Sequence, residues 1–238
     1  MKAKRVYSYA LILSVFGLLY SLITANTYAT TLFPVERTCP VGGQKYRSVE
    51  IGSTSRFGMR LDLRPIGPAA HLPWAECPNG FVVFKDFTKD EIAKLTPIVA
   101  GAEYQRMRKE HTTAYRVVYL RRSLGESDTD LSWLILKAAW GAEDRKMEKL
   151  RQQYLEEAYN AFIAQANTLV THDDEWWSAS ILAAEIERQR HHFNESITLL
   201  EALPVSELPS DDLKHALISQ IKGHAVKGDP KPTDYKRD

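Results

Sequence analysis

The stretches DLSWLILKAAWGAE (residues 130–143) and DEWWSASILAAEIE (residues 174–187) decide how this chain is built. Laid over each other at an offset of 44 residues, they place Asp130 on Asp174, Trp133 on Trp177, Ala139 on Ala183 and Glu143 on Glu187. Apolar residues recur in both at three- and four-residue spacing, the period of a helix buried along one face. An acid opens each, where it can cap exposed amides and meet the positive end of the helix dipole. Two like helices with further helical sequence between and after them imply stacked antiparallel hairpins. The expected fold class is therefore mainly α.

Working outward, a first helix is expected from the capping box Thr88-Lys89-Asp90-Glu91, in which Thr88 and Glu91 satisfy each other's backbone amides. Others are expected over residues 102–124, 130–143, 145–169, 174–191, 195–203 and 211–224, separated by glycine, proline and short polar breaks. The spacing Trp133-x-x-Leu136-x-x-x-Trp140 resembles the first helix of a tetratricopeptide repeat, and Ala184, Phe193, Ser196 and Leu200 match positions where its paired helices touch. Lys137 stands where that motif wants a small residue, and 44 exceeds the usual period of about 34, so longer, irregular hairpins are expected. This helical-repeat-like domain is assigned to residues 88–227. Residues 228–238, polar and carrying Pro230 and Pro232, are expected to be a disordered tail.

At the other end, Lys2, Lys4 and Arg5 precede a charge-free apolar run over residues 9–23, and Thr27-Tyr28-Ala29 supplies small residues at a peptidase site. This reads as a signal peptide over residues 1–29, cleaved after Ala29. An uncleaved anchor is the alternative, although the run is short for a hydrocarbon core of about 30 Å. The whole chain of 238 residues carries 31 Lys plus Arg against 30 Asp plus Glu. Cleavage leaves 28 basic against 30 acidic residues, because the removed segment holds three of the former and none of the latter. So balanced a charge gives no field for a polyanion. No nucleic-acid partner is expected, and membrane association only if the signal is retained. Export places the protein in the periplasm or beyond it.

Residues 30–87 read as a small β-containing unit, with β-favouring pieces at residues 46–51, 59–63 and 81–84. A proline-rich loop lies between the second and third, from Pro65 to Trp74. Cys39 and Cys77 stand in similar contexts, Cys39-Pro40-Val41-Gly42-Gly43 and Cys77-Pro78-Asn79-Gly80-Phe81. In an exported chain a disulfide between them is expected. A zinc ribbon needs two C-x-x-C pairs to close a tetrahedron, and Gly42 and Gly80 occupy the second cysteine positions. No metal site is expected. Together with residues 57–65 (FGMRLDLRP), the two turns resemble a bacterial family of unknown function with paired CPxCG-type knuckles followed by tetratricopeptide-like helices. Residues 38–205 match that layout with both knuckles degenerate, so the family's metal role does not transfer, and the resemblance implies no activity.

The motifs that carry chemistry are mostly missing. H-E-x-x-H, G-x-S-x-G, the Walker loop and G-x-G-x-x-G do not occur. The run from Gly52 to Gly58 has neither the lysine nor the helix of a phosphate loop and reads as a turn. His172-Asp173-Asp174-Glu175 could ligate a divalent ion but reads as a helix cap, with Asp173 or Asp174 capping. His191-His192 falls at a helix end beside Arg188 and Arg190, with Glu187 pairing His191. Arg106, Arg108, Lys109, Arg116, Arg121 and Arg122 read as a solvated helix face. Trp176 and Trp177 point about 100° apart on a helix. Trp177 is expected to pack along with Trp133 and Trp140, leaving Trp176 as the partner-binding residue.

No catalytic residue and no cofactor is assigned. The expected function is an exported helical-repeat-like protein that binds a protein or peptide partner in the cell envelope. The alternatives are an envelope hydrolase or metal-dependent enzyme with a site of scattered residues, and a small-ligand carrier with residues 65–74 as its lid.

Overall fold

The computed structural model describes residues 31–67, 74–169, 172–209 and 211–237. The expected signal peptide and its cleavage site lie outside them, as do residues 68–73 of the proline-rich loop. Among the described residues there are eight α-helices: α1 (Lys89–Ala100), α2 (Ala102–Glu110), α3 (Thr113–Ser123), α4 (Asp128–Asp144), α5 (Glu148–Thr168), α6 (Asp174–Gln189), α7 (Phe193–Glu201) and α8 (Leu213–Val226). Side-chain caps start five of them. Thr88 and Glu91 form the reciprocal capping box of α1, and Ser127 and Asp130 form another at α4. Thr112, Asp173 and Asp212 cap α3, α6 and α8. The helix expected over residues 102–124 is two, because Thr112 takes extended backbone and turns its hydroxyl to the Tyr115 amide. A threonine offers the chain this alternative to a continuous helical ladder.

The hairpins α4–α5 and α6–α7 share one turn. Arg145 (φ −90°, ψ 1°) and Arg190 (φ −86°, ψ 4°) end their helices, and Lys146 (φ 57°) and His191 (φ 69°) follow in the left-handed region. Met147 N then donates to Ala142 O at 2.8 Å and His192 N to Glu187 O at 2.9 Å, the long bond of a Schellman motif. The offset between the turns is 45 residues, one more than the alignment of identities. Burial follows the turns: Leu136 with Ile181, Ala139 with Ala184, Arg151 with Ser196 and Leu155 with Leu200 are all buried pairs. Trp177 therefore corresponds to Ser132, and Trp133 to Ser178. The turn and the buried face set the register of a hairpin, whereas the opening acids need only lie in the first helical turn.

The β-containing unit is three antiparallel pairs. β1 (Thr31–Thr38) and β2 (Lys45–Ser53) form a ribbon, β3 (Gly58–Met59) pairs β4 (Pro65–Ile66), and β5 (Ala75–Glu76) pairs β6 (Val82–Val83). β1 is not among the expected pieces; a two-stranded ribbon tolerates its Pro34. The Cys39–Cys77 disulfide, with Cα atoms 5.9 Å apart, joins the two expected turns. Gly42 (φ 92°) and Gly80 (φ 87°) hold matching left-handed positions in them, and Asn79 Nδ2 donates across to Val41 O at 2.8 Å. Both cysteines pack with Phe81, Leu95, Val99, Tyr104 and Leu120, so the unit shares its core with α1 to α3. A second cluster joins α3, α4, α5 and α6. The third, around Trp177, Ile181, Leu200, Leu217 and Ile221, takes in Leu61 from the loop after β3.

Residues 228–237, expected to fray, are tied down. Leu61 N donates to Thr233 O at 2.8 Å and Tyr235 N to Met59 O at 2.9 Å, so the segment runs antiparallel beside the end of β3 through the bridge of Arg60 with Asp234. The fully buried Arg188 guanidinium donates to the carbonyls of Asp229 and Lys231. Pro230 and Pro232 exclude helix, as expected, but they also favour the extended backbone that such a pairing requires.

Candidate functional site

Residues 57–65 build the site. Within Arg60-Leu61-Asp62-Leu63-Arg64 the chain reverses sharply, with Arg60 N donating to Arg64 O at 2.9 Å and Leu63 at φ 60°. A leucine in the left-handed region is held there by its surroundings. The reversal drives Leu61, fully buried, into the third cluster and Asp62, 1% exposed, into a polar layer between α4 and α6. Asp62 accepts from Arg60 Nε at 3.1 Å, Trp140 Nε1 at 2.9 Å, Gln189 Nε2 at 3.3 Å and its neighbour's amide, Arg64 N, at 3.2 Å. Arg60 also donates to Glu143 at 2.6 Å, and Arg64 to Asp144 at 2.7 Å. Burial works against the charge of Arg60, but Asp62 and Glu143 outweigh it and hold the guanidinium's pKa above its ordinary value. Burial pushes the Glu185 carboxyl up, against the paired Arg188. Charges so enclosed and so fully paired fasten the loop to the helices and leave nothing for a substrate.

The outer side of the same loop faces a cleft of about 1000 Å³ between the β3–β4 hairpin, the start of α8 and the C-terminal segment. The cleft is lined by Phe57, Met59, Leu63, Pro65, Leu213 and Tyr235 and, in about equal measure, by polar groups that include Arg56, Arg237, Asp211 and Asp212. Leu63, Asp212 and Leu213 are shared with a smaller cavity of about 280 Å³ that runs on to Ser178 and Ile181 of α6. Asp212 caps α8 through the Lys214 amide at 2.8 Å. Lys214 Nζ lies 2.8 Å from Asp174, which with Asp212 raises its pKa. Leu213 remains 43% exposed, a large apolar side chain open to contact.

The other residues singled out in the sequence are dispersed. Trp177 is buried, and Trp176, half-buried, stacks on His172 with ring centroids 4.1 Å apart. Trp176 is not among the residues lining the cleft. Trp140 packs and bonds Asp62, and Trp133, half-buried, packs edge-on against Phe162 of the second cluster while lining a separate cavity of about 440 Å³ at the start of α4. His172 pairs with Glu207, Asp173 caps α6, Asp174 meets Lys214 and Glu175 accepts from Gln165. Those four side chains turn to four separate partners, so they form no ion-binding cluster. Glu187 pairs with Arg190 and His192, while His191 is committed to the left-handed turn position. The basic face is corrected at Arg116, which is 3% exposed and donates to Gly80 O at 2.9 Å and Glu76 at 2.6 Å. It closes the second knuckle onto α3, a role invisible in its spacing.

One titratable cluster has no forerunner in the sequence reading. His111 Nδ1 shares a hydrogen bond of 2.7 Å with the Tyr154 hydroxyl, Tyr115 stacks on Tyr154, and Tyr115 donates to Glu157 at 2.7 Å. Burial pushes the Tyr154 phenol above its usual range and Tyr115 up to about 12, and it lowers the His111 imidazole. Each shift favours the neutral form, which suits packing. The cleft, with its apolar side chains and charges of both signs, is the arrangement suited to holding a ligand. Comparison with family models, with curated proteins and with solved structures finds no match for this chain.

Proposed function

We propose that this chain is an exported binding protein of the cell envelope, in which a tetratricopeptide-like helical body carries a cleft, formed by the docked β3–β4 loop, the start of α8 and the C-terminal segment, that takes a peptide or protein partner. The observation that carries the reading is the cleft itself, about 1000 Å³ and lined by apolar side chains together with charged groups of both signs. Sites of this size and lining bury large parts of their ligands and orient them by a few polar groups. The Cys39–Cys77 disulfide supports an oxidising compartment outside the cytoplasm, and no helix among the described residues is long and apolar enough to cross a membrane. Trp176, half-buried at the start of α6, belongs in this proposal to the outer margin of the partner surface.

The test is photo-crosslinking in cells, with a photoreactive residue placed in turn at Leu213, at Trp176 and at Lys137, which is exposed on α4. A single product that appears from Leu213 and not from Lys137 supports the reading. Equal labelling from both positions, or none from Leu213, rejects it.

A further inference from the structure

The C-terminal segment is held by the rest of the chain as one protein holds a peptide of another. On one side its main chain runs beside the end of β3, through the Leu61 and Tyr235 amides and the antiparallel bridge of Arg60 with Asp234. On the other side the Gln220 carboxamide of α8 binds both main-chain groups of Lys236, donating to its carbonyl at 2.6 Å and accepting from its amide at 3.1 Å. Between the two, the Tyr235 ring packs on the third apolar cluster and forms part of the cleft lining. Main-chain pairing along an open strand edge supplies affinity without regard to sequence, and a pocket for an alternate side chain supplies selection. Both elements are present here.

The segment divides into two parts. Its root is integral, because the fully buried Arg188 depends on the carbonyls of Asp229 and Lys231, and withdrawing them would strand a buried charge. Its tip is held differently. Asp234, Lys236 and Arg237 are exposed, Tyr235 is half-buried, and the main-chain bonds are ones that any extended peptide can replace. We infer that the groove between β3 and α8 is a binding site for an extended peptide carrying one aromatic residue, and that residues 233–237 are its resident occupant, displaced when a partner strand adds to β3. This deepens the peptide-binding reading above and rests on it. The tethered tip acts at an effective concentration on the order of millimolar, so an incoming strand must outbind it.

The test uses a fluorescent peptide of residues 231–237, KPTDYKR, and its tyrosine-to-alanine counterpart, with anisotropy measured against the full chain and its Tyr235→Ala variant. The variant vacates the aromatic pocket, so it should bind KPTDYKR at least about tenfold more tightly than the parent chain, and adding Gln220→Ala should weaken that binding. Equal binding by both chains, or equal binding of both peptides, overturns the inference. Hydrogen exchange on the unaltered chain gives a reading that no variant can spoil. The Leu61 and Tyr235 amides should exchange together and faster than the Arg60 amide, which bonds Arg64 inside the hairpin. Equal protection of all three means the tip does not leave, and the inference fails. If it fails while the Leu213 crosslink persists, the binding function stands without this site; if both fail, the function falls too.

Discussion

Replacing Asp62 with alanine removes an acceptor on which Arg60, the Arg64 amide, Trp140 and Gln189 converge. Asp62 is 1% exposed and Arg60 9%, so no water waits to take its place. Arg60 keeps Glu143, but the Trp140 and Gln189 donors toward Asp62 lose a buried partner. Breaking a buried ion pair from one side costs about 3–5 kcal/mol, with much of that cost in the donors left unsatisfied. Asp62→Ala should therefore lower stability by about 4 kcal/mol. At roughly 2–4 °C per kcal/mol for a chain of this size, Tm should fall by about 8–16 °C. Asp62→Asn keeps an acceptor for Trp140 and loses the charge-assisted bond to Arg60, so it should cost about half as much. Calorimetry of both variants with the disulfide intact measures the two values. A loss under about 1 kcal/mol for Asp62→Ala, or an Asn variant no better than Ala, would refute the fastening role of the loop.

Other outcomes follow from the same packing. Cys39→Ser with Cys77→Ser opens a link between residues 38 apart and should cost about 4 kcal/mol in the chain-entropy model; urea titration against the oxidised chain checks it. Trp177→Ala, removing a buried ring, should cost about 3–5 kcal/mol, whereas Trp176→Ala, truncating a half-buried one, should cost far less, and equal losses in thermal melts would place both rings in the core. His111, whose imidazole is held below its ordinary 6.5 chiefly by burial, binds its proton more readily in the unfolded chain. Stability should thus fall as pH drops from about 6.5 toward the lowered value and level off below it. His111→Gln should flatten that part of a pH series of melting curves, and an unchanged slope would remove His111 as its cause.

The helices were legible because their signals are local. Thr88 and Glu91 lie three residues apart, and the apolar face of residues 130–143 repeats within one helix. What failed also had a local cause. Thr112 interrupts a polar helical stretch without glycine or proline beside it, and identity between opening acids misplaced the hairpin register by one residue. Pro230 and Pro232 point to a frayed tail, but prolines equally permit extended backbone that is tied down. Asp62 and the cleft were out of reach for a different reason. Arg60-Leu61-Asp62-Leu63-Arg64 has the alternation of an exposed strand, and its partners Trp140 and Gln189 lie 78 and 127 residues away. The cleft draws on residues 56–65, 211–216 and 235–237, three stretches whose juxtaposition no spacing announces.

The loop after β3 also governs how the chain reaches its native state. The side chain of Leu61 is buried among residues of α6, α7 and α8. The β3–β4 loop therefore cannot complete its packing until α6, α7 and α8 are present. Contacts of such sequence separation require large loops to close before they return any stabilisation, which slows folding and makes it all-or-none. The helical hairpins, which by themselves could fray one after another from either end as stacked repeats do, are bound by this staple into a unit that melts in a single step.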